Sequence, residues 1–233
     1  HRYNALNAEQ FEDDYDYVIV HDPQPAEMVN DFPDSRAHWI WRCHIDLSTP
    51  NPDVLAFLAP SLERYDAAIF HVEQYVPRNI ALRQAIIWPP AIDPLTPKNL
   101  ALSKEDAEYV VDQFGIHLER PLLTQISRFD PWKDPLGVID AYRLVRQTHP
   151  EVQLALVGSM AHDDPEGWEY YNRTVAHAAG DPDVFILSNL NNIGSVEVNA
   201  FQVHSKAVIQ KSIREGFGLT VTDLADHPAA DAD

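Results

Sequence analysis

The run SIREGFGLTVTD, from Ser212 to Asp223, combines acids and glycines in an order that suits sugar-nucleotide chemistry. Glu215 stands directly before a Gly-Phe-Gly turn, a helix is predicted after that turn, and Asp223 follows Glu215 by eight positions. A glycine turn that feeds a helix N-terminus presents backbone N–H groups and a partial positive charge, which favour a diphosphate. Two acids on either side of the turn can accept hydrogen bonds from sugar hydroxyls. The run therefore predicts a nucleotide-sugar site.

A second charged group lies in ISRFDPWKDP, between a predicted buried strand and a predicted helix. Its cations, Arg128 and Lys133, could together neutralise a diphosphate, the first as a planar fork and the second as a mobile point charge. The alternative is that both cations form surface ion pairs with Asp130 and Asp134. Local spacing leaves both interpretations open.

Polar residues also follow the first two predicted strands. VHDPQP supplies His21 and Asp22, and WRCHIDLS supplies His44 and Asp46, with Arg42 able to pair with either aspartate. Neutral histidine and ionised aspartate suit a ligand rich in hydroxyl groups. The alternative is a buried polar network that satisfies the strand ends. The spacing matches no metal-site pattern.

Composition excludes several classes of protein. A net charge of -19 argues against a nucleic-acid partner, and no apolar run approaches the roughly 20 residues of a membrane helix. Cys43, the single cysteine, rules out an internal disulfide and a cysteine-based zinc site, so we expect a cytoplasmic protein. The sequence lacks G-x-G-x-x-G, Walker and G-x-S-x-G motifs. The acidity fits either ordinary solubility or a high-salt habitat.

Short apolar runs alternate with longer stretches of helical spacing, which predicts parallel, doubly wound sheets. Ligands of such sheets bind beyond the carboxyl ends of the strands, where the polar motifs fall. Ser103 and either Asp163 or Asp164 are predicted helix N-caps. Predicted strands cover 17–20, 39–43, 67–71, 86–88, 122–127, 152–157, 184–187 and 207–210, and predicted helices cover 52–65, 103–114, 135–148, 166–179 and 196–204.

The proline-rich run WPPAIDPLTPKN predicts a stiff, extended connector, and we place a domain boundary there, between residues 92 and 93. The acidic, proline-broken tail LADHPAADAD is predicted to be a frayed terminus. The chain begins at His1 inside what reads as the middle of a domain, so we expect a piece of a longer protein.

Together, HDPQP, WRCHIDLS, PPAIDPL, SRFDPWK, VGSMAHDDPEGW and SIREGFGLTVT resemble the trehalose synthase (glycosyltransferring) and trehalose phosphorylase group of retaining GT-B glycosyltransferases. The resemblance extends to Thr222. It implies an α/β fold of GT-B type, with two doubly wound, Rossmann-like parallel-sheet domains that face each other across a cleft, each incomplete in this chain. Residues 1–92 would form the acceptor-side domain and 93–223 the donor domain, and 224–233 would lie outside the family.

The resemblance also implies roles for the motif residues. Arg128 and Lys133 would hold the diphosphate and Glu215 would contact the transferred glucose, which makes these three the expected catalytic residues. No metal or other cofactor is expected, because the cations and the helix dipole would balance the diphosphate charge. The implied donor-binding residues are Arg128, Lys133, Glu215, Gly216, Phe217, Gly218 and Asp223, and the implied acceptor-binding residues are Asp22, Gln24, Arg42, His44 and Asp46.

The implied reaction moves glucose from a nucleotide-diphosphate glucose to glucose with retention, forming trehalose. A trehalose phosphorylase and an inactive chain that only binds nucleotide are the alternatives. Asp223 stands where the family has glutamate, and the family has further sequence before and after this chain. The expected partners are the nucleotide-sugar donor and the sugar acceptor, without nucleic acid or membrane, and a homodimer is left open.

Overall fold

Eight apolar runs form parallel strands in the computed structural model, which describes residues 2–221. The chain divides into two units, His1–Ala91 and Ile92–Asp233, one residue before the predicted boundary. Each unit contains a four-stranded sheet with its own hydrophobic core. The predicted tail and Asp223 lie outside the described residues.

The first sheet has the order β1-β2-β3-β4, so each strand pairs with its sequence neighbour. Its core is centred on Trp41 and Phe70, whose rings meet edge to face at 5.9 Å. The elements of this unit are α1 (Arg2–Ala8), β1 (Tyr17–His21), β2 (His38–Arg42), α2 (Pro52–Leu62), β3 (Ala67–Phe70) and β4 (Ala85–Ile87).

The second sheet has the order β7-β6-β5-β8, with β5 at the point where the chain changes direction across the sheet. Separate buried clusters pack around Phe201 and around Tyr142, which gives this unit two apolar layers. Its elements are α3 (Lys104–Asp112), β5 (Leu122–Ile126), α4 (Pro135–Arg146), β6 (Gln153–Gly158), α5 (Pro165–Ala178), β7 (Val184–Ser188), α6 (Ser195–His204) and β8 (Ala207–Val208).

Helix starts follow the side-chain chemistry of the sequence. Ser103 accepts the backbone N–H of Asp106, and Asp164 accepts that of Gly167 ahead of α5, which confirms both predicted N-caps. Because a side-chain oxygen satisfies a backbone donor that the helix itself cannot, each cap fixes where its helix begins.

Several predicted element boundaries are wrong by one to three residues, and the predicted connector is only partly extended. Helix α2 ends at Leu62 and not at residue 65, and Glu63 is its C-cap. Strand β8 ends at Val208 and not at residue 210. The proline-rich connector is extended only in part, since residues 94–99 form turns and the Asp93 carboxylate accepts the N–H of Leu95 at 2.9 Å.

Candidate functional site

The carboxyl ends of β5 and β8 form the edge of the second sheet where a ligand of a doubly wound fold would bind. After β5 the chain enters a short 3₁₀ helix, Pro131–Lys133, whose N-cap Asp130 accepts the backbone N–H of Lys133 at 3.0 Å. The Gln125 amide, buried on β5, donates to the backbone carbonyl of Lys133 at 2.7 Å. These two bonds fix the backbone from which the Lys133 side chain extends.

Lys133 and Glu215 meet directly, although 82 residues separate them. The ammonium Nζ of Lys133 lies 2.5 Å from Oε2 of Glu215, and the two side chains are 16% and 30% exposed. The structure therefore brings together one predicted cation and the predicted acid at the switch point of the sheet.

Arg128 is the more accessible cation of this site. Its side chain is 71% exposed and its guanidinium lies 3.2 Å from the carboxylate of the buried Asp130. The pair with Asp130 was the alternative to an anion clamp, and it is present. Asp134 pairs with Lys211, so for Lys133 the described partner is Glu215.

Gln210 and Ser212 also form hydrogen bonds with Glu215. The Gln210 amide and the Ser212 hydroxyl both donate to Oε2, at 2.7 and 3.0 Å, and the Gly216 N–H donates to Oε1 at 3.1 Å. Burial alone would raise the pKa of Glu215, but the Lys133 bond and charge, together with Ser212 and Gly216, lower it below its usual value. Glu215 is an ionised carboxylate at neutral pH.

The glycine turn after Glu215 is tied to the end of β5. Gly218 has φ +86°, a left-handed conformation that favours glycine, and residues 219–221 are helical. The Thr220 hydroxyl donates to the carbonyl of Ile126 at 3.3 Å. The turn thus lies next to the end of β5, just before the segment that contains Arg128 and Lys133.

Histidines line the carboxyl edge of the first sheet. The rings of His21 and His44 are stacked with centroids 5.1 Å apart, and Nδ1 of His21 lies 2.8 Å from Nε2 of His44. His71, after β3, meets His44 edge to face at 5.4 Å. Burial lowers the pKa of His44, so its ring is neutral at pH 7.

Asp22 holds the loop between these histidines. It has φ +66°, and its carboxylate accepts the N–H of His44 at 2.8 Å while its carbonyl accepts the Trp41 indole at 2.9 Å. Arg42 donates to the carbonyl of Trp88 at 2.7 Å. His21, Asp22, Arg42 and His44 therefore belong to one edge, and the network alternative describes part of their bonding.

The remaining acceptor-side residues lie in turns beside that edge. Gln24 is exposed, and its backbone carbonyl accepts the Asn4 amide at 3.1 Å. The Asp46 carboxylate accepts the N–H of Ser48 at 2.7 Å. Burial raises the pKa of Cys43 to about 12, so this thiol stays protonated.

Sequence reasoning missed three residues of the donor-side network and one of the histidine edge. Gln125 was read as part of a strand, Gln210 as the last residue of another, and Ser212 as part of the motif without a role. His71 was the end of a strand. Ser212 carried the clearest signal, since a hydroxyl three positions before a carboxylate in a tight turn can reach it.

Residues 2–221 contain no group of three or more His, Cys, Asp or Glu side chains arranged to hold a metal ion. No helix there is long and apolar enough to cross a bilayer.

The two parallel sheets define an α/β fold, and the Lys133–Glu215 pair lies at the switch point of the second sheet, where ligands of such folds bind. A family model described as "Glycosyl transferases group 1" matches residues 107–224, and one described as "Trehalose synthase, N-terminal domain" matches residues 1–77. The chain belongs to the group 1 glycosyl transferases.

Similar proteins add the wider context. A trehalose synthase of Rubrobacter xylanophilus is 58% identical over 214 residues, covering 91% of this chain and 51% of that protein. A trehalose phosphorylase of Pleurotus pulmonarius is 25% identical over 246 residues, covering 89% of this chain and 33% of that protein. This chain therefore spans about half the length of the synthase.

A solved structure shows the fold. An α,α-trehalose-phosphate synthase (UDP-forming) from Burkholderia xenovorans, in complex with glucose-6-phosphate, has a TM-score of 0.77 at 16% identity, covering 97% of this chain and 59% of that one. The predicted α/β fold of GT-B type is confirmed, and it is incomplete relative to full-length proteins.

Proposed function

We propose that this polypeptide is the part of a retaining glycosyltransferase that moves glucose from a nucleotide-diphosphate glucose to glucose, forming trehalose. The observation that carries the proposal is the Lys133–Glu215 pair at the β5–β8 switch point. Its support is the 58% identity to a trehalose synthase, together with a fold relative that is a UDP-forming synthase.

The second unit, which begins at Ile92, would bind the donor. Lys133 and Arg128 would neutralise the diphosphate, and the N–H groups of the turn from Gly216 through Phe217 to Gly218 would bind its oxygens. Glu215 would accept hydrogen bonds from the glucose that is transferred. Asp223 would contact the ribose.

The first unit, His1–Ala91, would bind the acceptor sugar. Neutral His44 can accept or donate a hydrogen bond to a hydroxyl, and Asp22 lies against it at the same edge. Hydroxyl-rich ligands need such a mixture of donors and acceptors. The proposed acceptor residues are Asp22, Gln24, Arg42, His44 and Asp46.

The chemistry would proceed without a protein nucleophile. As the bond from the anomeric carbon to the diphosphate breaks, the cations stabilise the charge that develops on the leaving oxygen. The acceptor hydroxyl attacks from the same face of the oxocarbenium-like sugar, and its proton passes to the leaving phosphate. No metal enters this scheme, because Lys133, Arg128 and the backbone donors would balance the diphosphate charge.

Two direct assays test the proposal. The purified chain is incubated with ADP- or UDP-glucose plus glucose, and separately with trehalose plus phosphate, while trehalose and glucose 1-phosphate are measured. Trehalose in the first reaction supports the synthase, and glucose 1-phosphate only in the second would replace it by the phosphorylase. Nucleotide binding without product would leave an inactive binder, and no binding would overturn the donor site.

A further inference from the structure

Three side chains donate to a single carboxylate oxygen. Oε2 of Glu215 accepts from Lys133 at 2.5 Å, Gln210 at 2.7 Å and Ser212 at 3.0 Å. One donor is a cation and the other two are neutral. The neutral donors are also linked to each other, since the Gln210 amide lies 3.0 Å from the Ser212 hydroxyl oxygen.

The early end of β8 creates this arrangement. The Ile209 N–H donates to the carbonyl of Thr124 at 2.7 Å, and the chain then leaves the sheet. Gln210 is exposed and Ser212 half-buried, so a surface amide and a less accessible hydroxyl both reach Glu215 from its own loop. Neither residue contributes to a hydrophobic core cluster.

We propose that Gln210 and Ser212 are positioning residues that keep Glu215 ionised and aligned with the transferred sugar when Lys133 turns to the donor diphosphate. This inference rests on the proposed function. A single ammonium shared between a carboxylate and a diphosphate stabilises each less than it would alone. The two neutral donors hold the half-buried carboxylate during that sharing, because hydrogen bonds to an ionised group favour its charged form.

The positioning role is tested by how much the glucose moiety adds to donor binding. This contribution is the ratio of the affinities for ADP-glucose and ADP, or for UDP-glucose and UDP, measured by titration calorimetry. In Gln210→Ala and Ser212→Ala we expect the ratio to fall by about 5- to 10-fold while ADP affinity changes less than about 2-fold. Ser212→Thr, which keeps the hydroxyl, restores the ratio. Gln113→Ala, at an exposed glutamine bonded only to its own helix carbonyl among the described contacts, leaves the ratio unchanged.

The pH profile gives a second readout. Loss of the Ser212 donor raises the pKa of Glu215 toward its usual value, so in Ser212→Ala the sugar contribution disappears at a higher pH as acid is added. If the two residues had only a structural role, their loss would weaken the binding of ADP and of ADP-glucose equally. The midpoint of the pH profile would then not change.

The binding measurements distinguish failure of the positioning role from failure of the proposed function. If the unaltered chain binds the diphosphates and their glucose derivatives but the ratio is the same in both variants, the positioning role is wrong and the donor site stands. If the unaltered chain binds neither class of ligand, the proposed function is overturned and this inference with it. Thermal unfolding of each variant verifies that it is folded.

Discussion

Lys133 and Arg128 differ in how strongly their contacts hold them. Lys133 is mostly buried against a carboxylate, whereas Arg128 projects into solvent with only one edge against Asp130. A ligand phosphate can therefore reach Arg128 without breaking a buried contact, but it must share Lys133 with Glu215. The two cations should respond differently to substitution.

Arg128→Ala should weaken ADP binding by about 1.5–3 kcal/mol, the usual contribution of a charged hydrogen-bonded contact. Calorimetry with ADP measures the loss. Arg36→Ala, at an exposed arginine of the first unit, is the matched control. Unchanged ADP affinity in Arg128→Ala would remove this residue from the clamp.

Glu215→Gln should strengthen ADP binding and reduce the preference for ADP-glucose over ADP. Without the carboxylate, Lys133 no longer has an anion competing with the diphosphate, so ADP should bind about 3- to 10-fold more tightly. The preference for ADP-glucose over ADP should shrink, because an amide is a weaker acceptor for sugar hydroxyls than a carboxylate. Weaker ADP binding in this variant would contradict the competition.

At the scale of elements, an ion-pair network joins the segment before β5, the end of α4 and the entry to β7. Arg120 lies 2.6 Å from Asp183, and Arg146 reaches both Asp181 and Asp183 at 2.8 Å. Asp183 is buried, and the hydrogen bond from Arg120 lowers its pKa despite that burial. The network fixes the end of the sheet opposite the candidate donor site.

Asp183→Asn should lower the free energy of unfolding by about 2–3 kcal/mol, since it leaves two partly buried guanidinium groups without a full partner. Asp140→Asn removes an exposed carboxylate that contacts Arg143 and His177, and it should cost less than about 1 kcal/mol. Urea unfolding of both variants measures the difference, and equal losses would contradict the network's role.

The stabilisation that Asp183 contributes should decrease in acid. Asp183 has a lowered pKa in the folded state, so its contribution is fully present above the usual aspartate pKa of about 4 and is lost as pH falls through the folded value. The gap in stability between the unaltered chain and Asp183→Asn should therefore narrow in acid.

Element type was largely readable from the sequence, because apolar runs, caps and prolines act locally. Which charged side chains pair with each other could not be read from the sequence. Lys133 bonds a residue 82 positions away and Asp134 bonds Lys211, 77 positions away, so neighbouring charges in the sequence misassigned Asp134.

At the scale of the whole molecule, the dominant feature is the net charge of -19 on 233 residues. Like charges at such an excess repel one another and oppose the compact state. Added salt shortens the range of that repulsion, from about 10 Å at 0.1 M to about 3 Å at 1 M.

The melting temperature should therefore rise as NaCl is increased from about 0.1 M to 1 M. Circular dichroism melting curves measure it. A chain that loses its fold at low salt would favour the high-salt habitat, and one that stays folded throughout favours ordinary acidic solubility. A melting temperature that falls with salt would contradict dominance by repulsion.

The short contact between His21 and His44 couples the hydrogen placement of the two rings at the edge of the first sheet. With Nδ1 and Nε2 2.8 Å apart, one ring must supply the hydrogen and the other the lone pair. The tautomer of one neutral ring therefore fixes that of the other. It also fixes which of the two remaining ring nitrogens can donate a hydrogen bond to a ligand and which can accept one.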